Sequence, residues 1–259
     1  MTTMREGAVR WVTIVGVAIV VVGTTAAAPA GLRRIGAFRV DRVEVQGARQ
    51  ITAQQVLASS GITRTTSVFD DAEAWRTKLL ENPVIATAAV HRRLPNTVVI
   101  RITEATAVAF ARTPELRPVD ARGRVLPADP TYVDLDLPII DALARVDGSG
   151  RVLDSATIRT AAILGRLQEL EPVLAPWVSH ATPMRDGARL ALRGPASAEV
   201  LLPFDVDARR LHELRVTLAD LAAAPGTDST TASGLDLVTR IDVRFREQVV
   251  VSLHTAGTP

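Results

Sequence analysis

The sequence predicts an α+β chain: an apolar amino-terminal segment followed by two folded parts. Three observations carry this. Residues 11–22, WVTIVGVAIVVV, are uninterrupted by charge. The next stretch runs through strand and helix patterns in the order β-α-α-β-β. The carboxyl-terminal part mixes short strand patterns with two helical stripes and ends in two alternating apolar runs, a mixed β-domain with helices on one face.

Composition limits the functions open to the chain. Its 259 residues are 47% hydrophobic, enough for sizeable cores and for about two domains. There is no Cys, which removes disulfides, thiolate metal sites and Cys nucleophiles. Aromatic residues are 3%, too few for a base-stacking platform. The net charge is +2, and all but one of the 30 basic residues are Arg, Lys78 being the exception. That balance lacks the clustered basic face of a nucleic-acid binder.

From Ala8 to Ala28 the only charge is Arg10. Twenty-one helical residues span roughly 31 Å, close to the hydrocarbon thickness of a bilayer. Residues 11–28 therefore read as a transmembrane helix behind a short cytoplasmic tail, 1–10. A signal peptide is the rival reading, with a small-residue site at Ala26-Ala27-Ala28 or Ala28-Pro29-Ala30. Both place the remainder outside the cytoplasm. Arg5 and Arg10 precede the span and Arg33, Arg34, Arg39 and Arg42 follow it. Long domains translocate largely regardless of such charges, so the bias leaves orientation open.

Residues 40–46 alternate as a strand closed by Gly47. Thr52 caps a short helix through Val56 and Leu57, ended by Gly61. Asp70 or Asp71 caps a second helix carrying Trp75, Leu79 and Leu80, stopped by Pro83. A strand around 88–92, a turn at Leu94-Pro95-Asn96 and a strand 97–103 follow, with Val98, Ile100 and Ile102 on one face.

Pro114 and Pro118 mark a joint. Residues 119–126 read as a hairpin turning near Arg122-Gly123, and Leu137-Pro138-Ile139-Ile140 as a further strand. Asp154 caps a helix whose Ile158, Ala162, Leu164, Leu167 and Leu170 approximate one face, and Pro172 and Pro176 end it. Short strands follow near 189–193 and 198–202. Asp205 or Asp207 caps a helix striped by Leu211, Leu214, Leu218 and Leu221. Residues 222–234 read as a flexible connection. The odd positions from Leu235 to Phe245 predict one long half-buried strand. Residues 248–254 predict its antiparallel partner, with Val249, Val251 and Leu253 on one face.

Catalytic chemistry finds no motif here. His91, His180, His212 and His254 are dispersed, and His212-Glu213 begins an H-E-x-x-H pattern that fails at Val216. Neither G-x-S-x-G nor a Walker A sequence occurs. Asp70-Asp71 reads as a helix start rather than a carboxylate pair. No metal or cofactor is expected, and an enzyme is disfavoured. A terminal strand pair instead leaves a sheet edge whose free N–H and C=O groups can accept a partner's strand.

The run V-D-R-V-E-V-Q-G at 40–47, Gly61, Asn82-Pro83 and above all L-P-N-T-V-V-I-R-I-T-E at 94–104 resemble a POTRA domain of the FtsQ type. Val119-Asp120 to Val125 and Ile241-Asp242-Val243-Arg244-Phe245 resemble later landmarks of the FtsQ/DivIB cell-division family. Where that family often continues E-R-x-P-V-A-x-W, this chain has Glu104-Ala105-Thr106-Ala107-Val108-Ala109-Phe110. The resemblance implies a POTRA domain at 37–112, an FtsQ-like β-domain at 113–254 and a flexible tail at 255–259. It implies a non-enzymatic, single-pass inner-membrane divisome scaffold with a cytoplasmic amino terminus and a periplasmic bulk. Its partners would be FtsB/FtsL-like division proteins, with no nucleic acid and no small-molecule substrate. The implied contact residues are Arg244, Phe245, Val249, Val251 and Ser252. Strand parity alone sets Phe245 on the apolar face, an equally good core position. A POTRA-bearing scaffold for outer-membrane or secretion assembly, or a periplasmic hydrolase with an unrecognised site, are the competing readings.

Overall fold

The computed structural model describes residues 36–127, 136–193, 198–224 and 234–254. The expected span at 11–28 and the tails at 1–10 and 255–259 lie outside them, as does most of the expected flexible connection at 222–234. Among the described residues no helix is long and apolar enough to cross a membrane.

The chain divides into two compact units between Glu104 and Ala105. The first unit follows the expected order: β1 (Arg42–Gln46), α1 (Ala53–Ser60), α2 (Ala72–Glu81), β2 (Ile85–Arg93) and β3 (Thr97–Glu104). The sheet order is β1-β3-β2, with β1 parallel and β2 antiparallel to β3. β3 is central, so Val98, Ile100 and Ile102 are buried while Arg101 and Thr103 are exposed. Thr52 and Gln55 form a reciprocal capping box at the start of α1. Asp71 caps α2 through the Glu73 N–H, whereas the Asp70 carboxylate accepts from the Ser67 N–H at 2.8 Å. The two adjacent acids thus serve separate backbone groups.

The second unit starts earlier than the motif-based boundary at 112/113. β4 (Ala107–Arg112) pairs with β5 (Leu116–Asp120) and β6 (Ile139–Leu143), not with β3, so it belongs to the larger sheet. α3 (Ser155–Leu170), β7 (Val178–Pro183), β8 (Gly187–Leu192), β9 (Glu199–Pro203), α4 (Ala208–Ala223), β10 (Val238–Asp242) and β11 (Val250–Leu253) complete it. The eight strands run β11-β10-β9-β8-β7-β6-β4-β5. α3 packs on β4 to β8 and touches α4, and both helices feed one apolar core with the inner face of the sheet.

Asp120 shapes the expected turn after β5. Its Oδ1 accepts from the Arg122 and Arg124 N–H groups at 2.9 and 2.8 Å, and its Oδ2 receives the buried Arg124 Nε at 2.8 Å. This accounts for the Val-Asp-Ala-Arg-Gly-Arg-Val run.

Two expectations are corrected. The buried face of α3 is Thr157, Thr160, Ala161, Ile163, Leu164 and Leu167, while Leu170 is exposed. Small and hydroxyl side chains permit the close approach, and Thr160 returns its hydroxyl to the Ala156 carbonyl. The strand expected over 235–245 is short: Gly234–Leu237 is a 3₁₀ turn, and β10 stops at Asp242.

Candidate interaction site at the terminal sheet edge

Among the described residues β11 is an outer strand of the eight-stranded sheet and pairs only on its inner side, antiparallel to β10. Val238 opposes Leu253, Arg240 opposes Ser252, Ile241 opposes Val251 and Asp242 opposes Val250, with a register shift between Val238 and Arg240. That bulge changes the parity. Val238 and Ile241, three residues apart, are both buried.

Two hydrogen bonds show which way the β11 backbone faces. The His254 N–H donates to the Leu237 carbonyl at 2.6 Å, and the Ser252 carbonyl accepts from Thr239 Oγ1 at 3.1 Å. Even-numbered residues therefore direct their backbone groups toward β10. By the alternation of an antiparallel ladder, Val251 and Leu253 direct theirs to the open side.

The side chains around this edge divide into two sets. Val249 and Val251 are partly buried against the core. Leu253 is 57% exposed, Phe245 49% and Val250 39%. Phe245 sits in the bend after β10 rather than in a strand, which is why strand parity does not describe it. Leu253 shares the parity of Val251 but lies near the last paired position, where less core remains to cover it.

Arg244 is held internally. Its Nε and Nη2 donate to the two Asp242 oxygens at 3.0 and 2.7 Å, and Nη1 donates to Asp186 Oδ2 at 2.8 Å. The backbone N–H of Arg244 also reaches Asp242 Oδ1 at 3.0 Å. The Arg244 bond, working against partial burial, holds the Asp242 carboxyl below its ordinary range, and the Asp242 carboxylate in turn raises the guanidinium pKa. This three-residue network ties the loop leaving β10 to the β7–β8 turn. Asp186 lies 58 residues from Arg244 in sequence, so no local pattern reveals the pair. Val250 and Leu253, likewise absent from the motif-based set, show only as apolar residues in an edge strand.

The histidines stay apart: His91 is exposed in β2, His180 is exposed in β7, and His254 follows β11. His212 Nδ1 lies 3.5 Å from a Glu171 carboxylate oxygen. Among the described residues no group of three His, Asp or Glu side chains could hold a metal.

Comparison with known proteins bears on part of the chain. The POTRA domain family of FtsQ type matches residues 38–105. The cell division protein FtsQ of Syntrophotalea carbinolica is 35% identical over 109 residues, 42% of this chain and 39% of that protein. The cell division protein DivIB of Geobacillus kaustophilus is 30% identical over 134 residues, 51% of each. The cell division protein FtsQ of Myxococcus fulvus is 32% identical over 127 residues, 47% of this chain and 42% of that protein. The matches thus span about two-fifths to one half of these relatives' own length. Residues 38–105 are thus a POTRA domain of FtsQ type, and over up to half of its length the chain is similar to FtsQ and DivIB cell-division proteins.

Proposed function

We propose that this protein is a non-enzymatic scaffold of the bacterial division machinery. Residues 11–28 anchor it in the inner membrane and both folded units lie in the periplasm. It takes up an FtsB/FtsL-like complex by strand addition to β11 at the septum. One observation carries the reading: β11 is an unshared sheet edge whose outward backbone groups, at Val251 and Leu253, are flanked by the exposed apolar side chains of Phe245, Val250 and Leu253. Main-chain bonds to an added strand supply affinity, and flanking apolar side chains supply selectivity. Arg244 acts one step back, as a positioning residue holding the loop behind the edge, while Phe245 meets the partner directly.

The test is binding of the full chain, held in detergent, to the FtsB/FtsL-like complex of its own host. Val251→Pro removes an outward N–H and spares the bonds to β10, as edge strands tolerate. The expected result is a loss of about tenfold or more in affinity with an unchanged melting curve. Unchanged binding after deletion of residues 250–259, with the fold intact, would overturn strand addition. In cells, depletion should give filaments without septa. Normal division with a leaky outer membrane would favour an assembly scaffold instead.

A further inference from the structure

At the opposite side of the eight-stranded sheet from β11, beside β5 and β6, lies a groove of about 820 Å³. Leu143, Val146 and Leu153 line it, and Leu143 is 77% exposed and Leu153 54%. Single exposed leucines are ordinary, but three large apolar side chains lining one depression, two of them mostly exposed, mark a contact surface.

The polar groups of the groove have a definite sign. Arg117 lines it, and its Nε is buried with no hydrogen-bond partner among the described residues. Arg117 is partly buried in the lining, so its positive charge stands beside the apolar wall of the groove. Arg145 stands in the lining with a largely exposed side chain whose charge partner, Asp154, is 3.9 Å away. The acid in the lining, Asp147, is turned to its own loop. Its Oδ1 accepts from the Ser149 N–H, the Ser149 hydroxyl and the Arg151 N–H at 2.8, 2.7 and 2.9 Å. The groove thus presents an apolar floor and two guanidinium groups, and the complementary group is a carboxylate.

We propose that this groove docks a segment of a protein partner in which Leu- or Val-type side chains stand beside Asp or Glu, the apolar groups seated on Leu143, Val146 and Leu153 and the carboxylates on Arg117 and Arg145. Guanidinium and carboxylate match in shape as well as charge, so the pair orients the segment. A compact ligand would leave Leu143 or Leu153 in water, whereas a length of chain covers both. Because β5 and β11 are opposite edges of one sheet, this partner and a strand added at β11 bind the same molecule together.

The test is selection of a displayed library of random 12-residue peptides on the full chain in detergent micelles, with counter-selection on Leu143→Asp. Enriched peptides are then synthesised and titrated by fluorescence anisotropy. The expected peptides combine Asp or Glu with Leu, Ile or Val. They lose about tenfold or more in affinity on Arg117→Ala and on Leu143→Asp, and change less than about twofold on Val251→Pro. Leu143 is exposed, so its variant reports on the groove even if Arg117→Ala disturbs β5. No enrichment, enrichment of basic or uncharged peptides, or equal binding to both groove variants would overturn the proposal. Loss on Val251→Pro alone would also overturn it and assign the peptides to β11.

Discussion

Three successive backbone N–H groups, those of Arg49, Gln50 and Ile51, point at one oxygen of Glu104, at 2.7, 2.8 and 3.0 Å. Glu104 ends the motif that begins at Leu94, and this contact gives the residue its physical meaning: it closes the end of β3 onto the loop before α1. Partial burial opposes the charge, but the three N–H donors outweigh it and hold the carboxyl below its ordinary value. A depressed pKa stabilises the fold above the unfolded value, near 4.3, and that contribution disappears as pH falls through the folded value. Glu104→Gln should cost about 1–2 kcal/mol at neutral pH, since charge-assisted bonds are roughly twice as strong as neutral ones. The loss should begin to shrink near pH 4, where the unfolded chain takes up the proton, and should vanish only once the folded carboxyl is protonated too. Thermal melts of both proteins across that range check the sign. At Arg244 the expected consequence is stability before affinity. Arg244→Ala leaves the largely buried Asp242 without its main partner and should destabilise the second unit by about 1–3 kcal/mol. Calorimetry reads that loss. A reduced affinity with an unshifted melt would instead place Arg244 in the interface.

Among the elements, those with caps and a clean period agree with the sequence reading. Thr52, Asp71 and Asp207 each accept a backbone N–H at the start of the expected helix. β3 buries the expected face at Val98, Ile100 and Ile102, while on the other face Val99 is buried and Arg101 and Thr103 are exposed. α3 differs because its sheet-facing side is chosen by fit. The threonines and alanine that pack against the strands are weak signals in an apolar count, whereas Leu170 is a strong signal that meets solvent. β10 differs because a bulge after Val238 and the Arg244–Asp242 contact end the ladder sooner than alternation suggests. The Val251→Pro prediction belongs at this scale: it tests the direction of one strand's backbone and leaves the core side chains of β10 untouched.

For the whole molecule, two compact units with separate cores predict separable unfolding. Gly47 supplies a probe of the first unit. It adopts φ +87, and a Cβ there would meet the Ile102 carbonyl oxygen at 2.1 Å, a clash with backbone that cannot rotate away. Gly47→Ala should destabilise the first unit by roughly 2 kcal/mol or more and leave the second near its wild-type stability. Calorimetry should then show the first transition shifted to lower temperature and the second in place. A single transition moving as one would show that the two units unfold cooperatively.

The strand and helix order of the first unit, the capped helices, the family motifs and the absence of recognisable catalytic motifs were all legible in the sequence. Each rests on neighbours within about a turn or a strand, where local hydrogen bonding and periodicity decide the outcome. Tertiary structure alone decided the strand order between the two edges of the larger sheet, that β4 joins it, that Phe245 is exposed while Arg244 is braced by Asp186, and that Arg117 shares a groove with Leu143 and Leu153. Those facts depend on pairings between residues tens of positions apart. Chain folding chooses them by jointly satisfying burial and backbone hydrogen bonds, and no local pattern encodes that choice.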